Sequence, residues 1–303
     1  MTAVIEVAGL HKRYRDAAAL NDVSFRVEKD AIYGLLGRNG AGKTTLMSIL
    51  TAQNFATEGS VRVFGEDPYE NPRVLSRMCF VRESQKYPDD AKPAHAFAAA
   101  KIFFPNWDDE LAADLIRQLQ IPVTRTIKKL SRGQLSAVGV VIGLASRAEI
   151  TFFDEPYLGL DAVARQIFYD RLLEDYSSHP RTIILSSHLI DEVANLLERV
   201  IVLDGGRVVM DEDTDAVRER AATVVGDAAA VDAFCVGREV LHRETLGGVA
   251  SVTILGALSP GDRRALAEAR LEVSPVSLQE FIVRATPHAA SASAATLPEG
   301  ALR

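Results

Sequence analysis

Three short segments, far apart in the chain, hold residue types that could act on a phosphate. The first is Gly37-Arg38-Asn39-Gly40-Ala41-Gly42-Lys43-Thr44-Thr45. Its Gly-x4-Gly-Lys-Thr spacing is that of a phosphate-binding loop. Such a loop aims backbone N–H groups inward at an anion, and bulky side chains would block that approach. A helix starting near Lys43 adds its positive N-terminal end. Lys43 offers a charge to the β- and γ-phosphates of a nucleotide, and Thr44 a hydroxyl to Mg²⁺. The second segment, Asp154-Glu155, follows the apolar run Ile150–Phe153. Asp154 suits Mg²⁺, directly or through water, and Glu155 suits orienting and deprotonating an attacking water. Alone, this pair would read as a solvated acidic turn. Beside a phosphate loop it reads as the machinery of nucleotide hydrolysis. The third segment, Leu130-Ser131-Arg132-Gly133-Gln134, would alone read as a helix start capped by serine.

The surrounding pattern supplies elements to hold these groups. Ile32–Leu36 is apolar and runs directly into the glycine loop, and Lys43–Leu50 reads as a helix. Strand, glycine loop and helix are the context that a phosphate loop requires. Val4–Val7 and Val23–Val27 alternate apolar and polar residues, as half-buried strands do, and Ser60–Phe64 predicts another strand. Pro88 to Gln120, alanine-rich with aromatics, predicts a small helical insertion. Most of Phe97, Phe103, Phe104 and Trp107 are expected to form its core, with one or two lining a groove on its surface. Leu135–Ser146 predicts a buried helix, Ala162–Tyr176 an amphipathic one, Thr182–Leu185 a buried strand and Leu189–Leu197 a helix. Val200–Leu203 and Arg207–Met210 flank Asp204-Gly205-Gly206, a hairpin turn. Buried strands alternating with helices predict an α/β protein with a mostly parallel sheet covered on both faces.

After about Glu219 the motifs stop. Ser251–Leu255 predicts a strand, Ser259-Pro260 a capped helix start, and Ser277-Leu278-Gln279-Glu280 a capping box. Together they predict a small α+β appendage over 221–287. The Ala/Ser-rich run from His288 predicts a disordered tail over 288–303.

Composition narrows the function classes. The chain has 303 residues, 48% hydrophobic and 25% charged, with a net charge of -7. An acidic balance argues against non-specific nucleic-acid binding, which needs clustered Lys and Arg. Cys79 and Cys235 lie far apart, which predicts a reduced compartment and no metal framework. No apolar run, Val138–Ala145 included, approaches the roughly 20 residues that span a bilayer. The first residues lack the pattern of a signal peptide. A partner would have to hold such a protein at a membrane.

In this order the motifs resemble the ATP-binding subunit of ABC transporters, over about residues 3–220. Leu130–Gln134 is similar to the family's signature, with Arg132 in place of a glycine. Phe152-Phe153-Asp154-Glu155-Pro156 resembles the Walker B strand with its catalytic glutamate. Gly159-Leu160-Asp161 resembles the D-loop, and Leu185-Ser186-Ser187-His188 with Glu192 the switch-histidine segment. The resemblance implies a P-loop ABC ATPase domain over 1–220: a mixed sheet core, an antiparallel β subdomain, and a helical subdomain over about 86–147. It implies ATP and Mg²⁺ as ligands, held by Gly37, Asn39, Gly40, Ala41, Gly42, Lys43, Thr44 and Thr45. Tyr14 would stack on adenine and His188 would sense the γ-phosphate. Where the family expects its Q-loop glutamine, counting from Lys43 points to Glu83, while the nearest glutamine is Gln85. Either could take the Mg²⁺ and water contact.

The resemblance further implies a head-to-tail homodimer in which Ser131, Gly133 and Gln134 of one copy, with Asp161 of the D-loop, complete the site of the other. It implies an integral membrane permease as second partner, received in a groove of the helical subdomain. The chain would sit in the cytoplasm at the inner face of the membrane. The tail ending Ser277–Phe281 resembles type-2 exporters. Two other readings are weaker. A soluble ABC ATPase acting on DNA or ribosomes usually carries tandem halves, coiled coils or basic extensions. A low-turnover regulatory subunit would not need intact Glu155 and His188.

Overall fold

The computed structural model describes residues 3–285 except Asp16 and Ser84, so the expected tail over 288–303 lies outside the described residues. The chain divides into two compact units. The first runs to His188 and resumes over Asn195–Asp211; the second takes Leu189–Ala194 and the chain from Glu212.

The first unit begins with β1 (Ala3–Tyr14), β2 (Ala17–Glu28), β3 (Ile32–Leu36), α1 (Lys43–Leu50), β4 (Glu58–Val63), a single turn α2 (Pro72–Leu75) and β5 (Met78–Arg82). Three helices follow: α3 (Pro93–Phe103), α4 (Asp109–Gln118) and α5 (Arg132–Ala145). Then come β6 (Ile150–Asp154), α6 (Ala162–Ser178) and β7 (Thr182–Ser187). After α7 (Ile190–Val193), which belongs to the second unit, β8 (Arg199–Asp204) and β9 (Arg207–Asp213) form the hairpin turned by Gly205 and Gly206.

The core sheet has the order β5-β6-β7-β3-β8-β9. Every residue of β3, β6 and β7 is buried, as expected of strands covered on both faces. Each fully buried large side chain, such as Phe152 or Phe168, contributes roughly 1.5–3 kcal/mol. A separate antiparallel sheet, β2-β1-β4, packs its buried face with α1 and β3 through Leu10, Leu20, Val23, Leu46 and Tyr33.

Register decides where the chemistry gathers. Arg82 pairs with Asp154, Asp154 with Ser186, and Leu36 with Ser187 in the parallel ladders. The C-terminal ends of β5, β6, β7 and β3 therefore align at one edge. Open parallel sheets bind ligands at such an edge.

In the α3–α5 region the aromatics divide between interior and surface. Phe97 is buried, Phe104 and Trp107 are half-buried, and Phe103 is 71% exposed beside Ile102 at 82%. Among the described residues no helix is long and apolar enough to cross a membrane.

The second unit comprises α7, α8 (Thr214–Glu219), β10 (Ala221–Asp227), α9 (Ala228–Cys235), β11 (Val240–Leu246), β12 (Val249–Leu255), α10 (Pro260–Glu268), β13 (Glu272–Pro275) and α11 (Leu278–Ala285). Its antiparallel sheet has the order β11-β12-β10-β13 over a core of Val224, Val231, Val252, Ile254 and Leu266. Ser259 caps α10 in a capping box with Asp262. Ser277 accepts the Glu280 N–H at the start of α11. Asp191 of α7 adds to that helix start, accepting from the Gln279 N–H and the Ser277 hydroxyl, both at 3.2 Å. The expected helix over Leu189–Leu197 is only the single turn α7.

Candidate functional site

The loop after β3 is shaped by glycines. Gly37 and Gly42 adopt φ of 142° and 108°, in the left-handed region. A Cβ on Gly37 would lie 2.2 Å from the Leu203 carbonyl oxygen, and one on Gly42 2.6 Å from that of Ala19. Gly42 precedes α1 without a side-chain cap, which leaves the first-turn amides to a ligand. Lys43 is 6% exposed and donates to the carbonyls of Gly37 at 2.7 Å and Arg38 at 3.2 Å. Its ammonium also lies 3.7 Å from Glu155 Oε1. Burial lowers its pKa; the charges of Glu155 and Asp154 oppose that shift.

The two carboxylates are set by β7. The Ser186 hydroxyl donates to Asp154 Oδ1 at 2.7 Å and accepts the Glu155 N–H at 3.0 Å. Glu155 has φ of 50°, which a β-carbon residue adopts at a cost of order 1 kcal/mol. That turn swings its side chain toward Lys43 and away from the β6 line. Its Oε2 meets His188 Nδ1 in a close contact.

These groups face one cavity of about 350 Å³. Asn39, Gly40, Gly42, Lys43, Thr44 and Thr45 line it from the loop, and Glu83, Asp154, Glu155, Leu158 and His188 from the strand ends. The oxygen donors Thr44 and Asp154 suit a hard cation that keeps several waters and phosphate oxygens around it. No dedicated metal cage of three or more His, Cys, Asp or Glu residues occurs among the described residues. The Thr44 hydroxyl and the Asp154 carboxylate fit Mg²⁺ delivered with a nucleotide, and the glycine cradle fits its phosphates.

The remaining predicted residues separate into those near the cavity and those away from it. Glu83 follows β5, its N–H bonded to the Asp154 carbonyl, and lines the cavity. Gln85 closes a turn onto the Arg82 carbonyl and lies outside the lining. Tyr14 ends β1 half-exposed, with the Lys12 ammonium 4.8 Å from its ring centroid and its hydroxyl accepting from Asn54. Gly37 and Ala41 lie outside the lining, with the Gly37 carbonyl accepting from Lys43. Ser131, Gly133, Gln134 and Asp161 lie outside the lining of this chain's own cavity. Ser131 and Gln134 form a reciprocal capping box at the start of α5, and Asp161 caps α6. Gly133 is fixed by close approach: a Cβ there would lie 2.5 Å from the Gly159 carbonyl oxygen.

Three features escaped sequence reasoning. Ser186 was visible in the Leu-Ser-Ser-His segment, but nothing local marks it as the link between Asp154 and Glu155. Tyr157 is buried two residues after Glu155, with its hydroxyl in the site. Arg132 of the signature-like segment and Glu83 after β5 form an ion pair with each other. Only the fold brings residues 49 positions apart together.

A parallel sheet with a glycine loop, an Asp-Glu pair and a histidine around one cavity defines a P-loop ATPase. A sequence profile described as ABC transporter matches residues 20–158. An uncharacterized ABC transporter ATP-binding protein of Methanocaldococcus jannaschii, MJ1023, is 32% identical over 69% of this chain and 77% of its own length. The doxorubicin resistance ATP-binding protein DrrA of Mycobacterium tuberculosis is 29% identical over 86% of this chain and 78% of its own length. A solved ATP-binding subunit of an ABC transporter shares the fold with a TM-score of 0.64 at 21% identity, covering 71% of this chain and 92% of that one. The chain belongs to the ATP-binding proteins of ABC transporters, and is an ATPase of that family.

Proposed function

We propose that this chain binds MgATP in the cavity above Lys43 and powers an exporter through a separate membrane permease. Lys43 and the loop amides hold the phosphates. Thr44 and Asp154 hold Mg²⁺, which supplies charge neutralisation at the phosphates. Glu155 orients and deprotonates the attacking water, His188 senses the γ-phosphate, and Glu83 stands at the Q-loop position. Two copies close head to tail, so that Ser131 and Gly133 of one meet the nucleotide of the other and Asp161 lies beside it. The chain then works at the cytoplasmic face of the membrane, held by the permease. The exposed Ile102 and Phe103 suit an apolar contact with that partner. Relatives named for doxorubicin resistance, bacitracin transport and lantibiotic transport support export of a drug-like or antibiotic substrate. Division into a catalytic domain and a C-terminal domain near residue 220 fits this reading.

The observation that carries the proposal is the convergence of Lys43, Thr44, Asp154, Glu155 and His188 on one cavity. Glu155→Gln keeps the shape of that cavity and removes the base. Turnover should fall by roughly two to four orders of magnitude, while ATP drives a stable dimer visible by size-exclusion chromatography. Turnover near the wild-type rate removes Glu155 as the base.

A further inference from the structure

Tyr157 is 1% exposed, in the turn between β6 and α6. A buried phenol requires partners for its hydroxyl, and these partners are unusual. Its oxygen lies 3.1 Å from Glu155 Oε2, 2.8 Å from Ser187 Oγ and 3.3 Å from the His188 backbone nitrogen. The phenol has one proton, and an ionised carboxylate can only accept. With that proton on Glu155, the Ser187 hydroxyl and the His188 N–H both donate to the phenol oxygen. One oxygen thereby ties the candidate base to the backbone of the candidate phosphate sensor.

The same Glu155 oxygen meets His188 Nδ1, while Oε1 faces Lys43 at 3.7 Å. Both carboxylate oxygens are thus assigned. Without the phenol, Oε2 would depend on the imidazole alone, and the imidazole is about one-third exposed.

We propose that Tyr157 is a positioning residue for hydrolysis, whose hydroxyl holds Glu155 and His188 in one shared geometry. This rests on the reading of Glu155 as the base. The alternative is a packing role, in which the ring fills the core and the hydroxyl merely satisfies itself.

Tyr157→Phe separates the two, because it keeps the ring and removes only the oxygen. Positioning predicts that kcat for ATP falls by roughly ten- to a hundredfold while KM stays within about twofold. In a Glu155→Gln background the hydroxyl has no base to hold. Single-turnover hydrolysis should then show no further loss on adding Tyr157→Phe. An equal loss in both backgrounds, or a rise in KM matching the fall in kcat, overturns the positioning role in favour of packing. Wild-type kcat in Tyr157→Phe, alongside an inactive Glu155→Gln, defeats the positioning role alone. An active Glu155→Gln defeats the base assignment on which it rests. A thermal melt of Tyr157→Phe within about 2 °C of wild type shows that the hydroxyl, not folding, accounts for any lost turnover.

Discussion

At the start of α1 the chain presents positive-φ glycines, no side-chain cap and a lysine 6% exposed. At the start of α5 it presents a reciprocal Ser131–Gln134 cap and an arginine whose side chain is 69% exposed. Both are helix N-termini suited to anions, and they are organised in opposite ways. The first is shaped by backbone, which leaves its amides directed at a ligand of this chain. The second caps the Gln134 N–H with Ser131 and holds the exposed Arg132 side chain against Glu83. A Cβ is excluded at Gly37 and Gly42 by neighbouring carbonyls, whereas the Arg132 side chain has open space around it at the start of α5.

Substitutions can break this comparison, the largest effect first. Lys43→Ala removes charge-assisted hydrogen bonds worth about 1.5–3 kcal/mol, so ATP affinity should fall roughly ten- to a hundredfold. Titration with a fluorescent ATP analogue reads this directly, and unchanged affinity would remove the backbone loop from the site. Gly133→Ala tests whether the second helix start is as free as its exposure suggests. Alanine favours a helix over glycine by about 0.5–1 kcal/mol. Its Cβ, however, would press within 2.5 Å of the Gly159 carbonyl oxygen. Overpacking of that kind costs about 1–3 kcal/mol and wins, so the melting temperature should drop. A variant as stable as the wild type would show that α5 yields easily there. The Arg132–Glu83 pair is the smallest effect. Pairing at such exposure is worth about 0–1 kcal/mol. A double-mutant cycle of Arg132→Ala and Glu83→Gln, read by urea unfolding, should give a coupling within that range that fades in molar salt.

Much of the catalytic edge was legible because it is written in local terms. Ile32–Leu36 and Lys43–Leu50 match β3 and α1 residue for residue, since an apolar run, a glycine loop and a helix are contiguous signals. The hairpin at Asp204-Gly205-Gly206 was equally plain. What escaped depends on distant partners. β10, β11 and β13 acquire strand form from pairing across the second unit, and strand preference is set by such context. The buried residues Ile190, Val193, Ala194, Leu196 and Leu197 do carry helical spacing, yet the helix stops after one turn where the chain passes between units at Ala194. The contacts of Ser186, Tyr157, and Arg132 with Glu83 lie across strand ends or between motifs, where spacing along the chain is silent.

The clasp of Asp191 on α11 has a consequence for synthesis. Residues 189–194 leave the ribosome ahead of β8 and β9, yet the helix they cap is made almost ninety positions later. Until then the stretch directly after His188 has no finished place to dock. A chain released before residue 278 would therefore lack Gln279 and the α11 start to which Asp191 bonds.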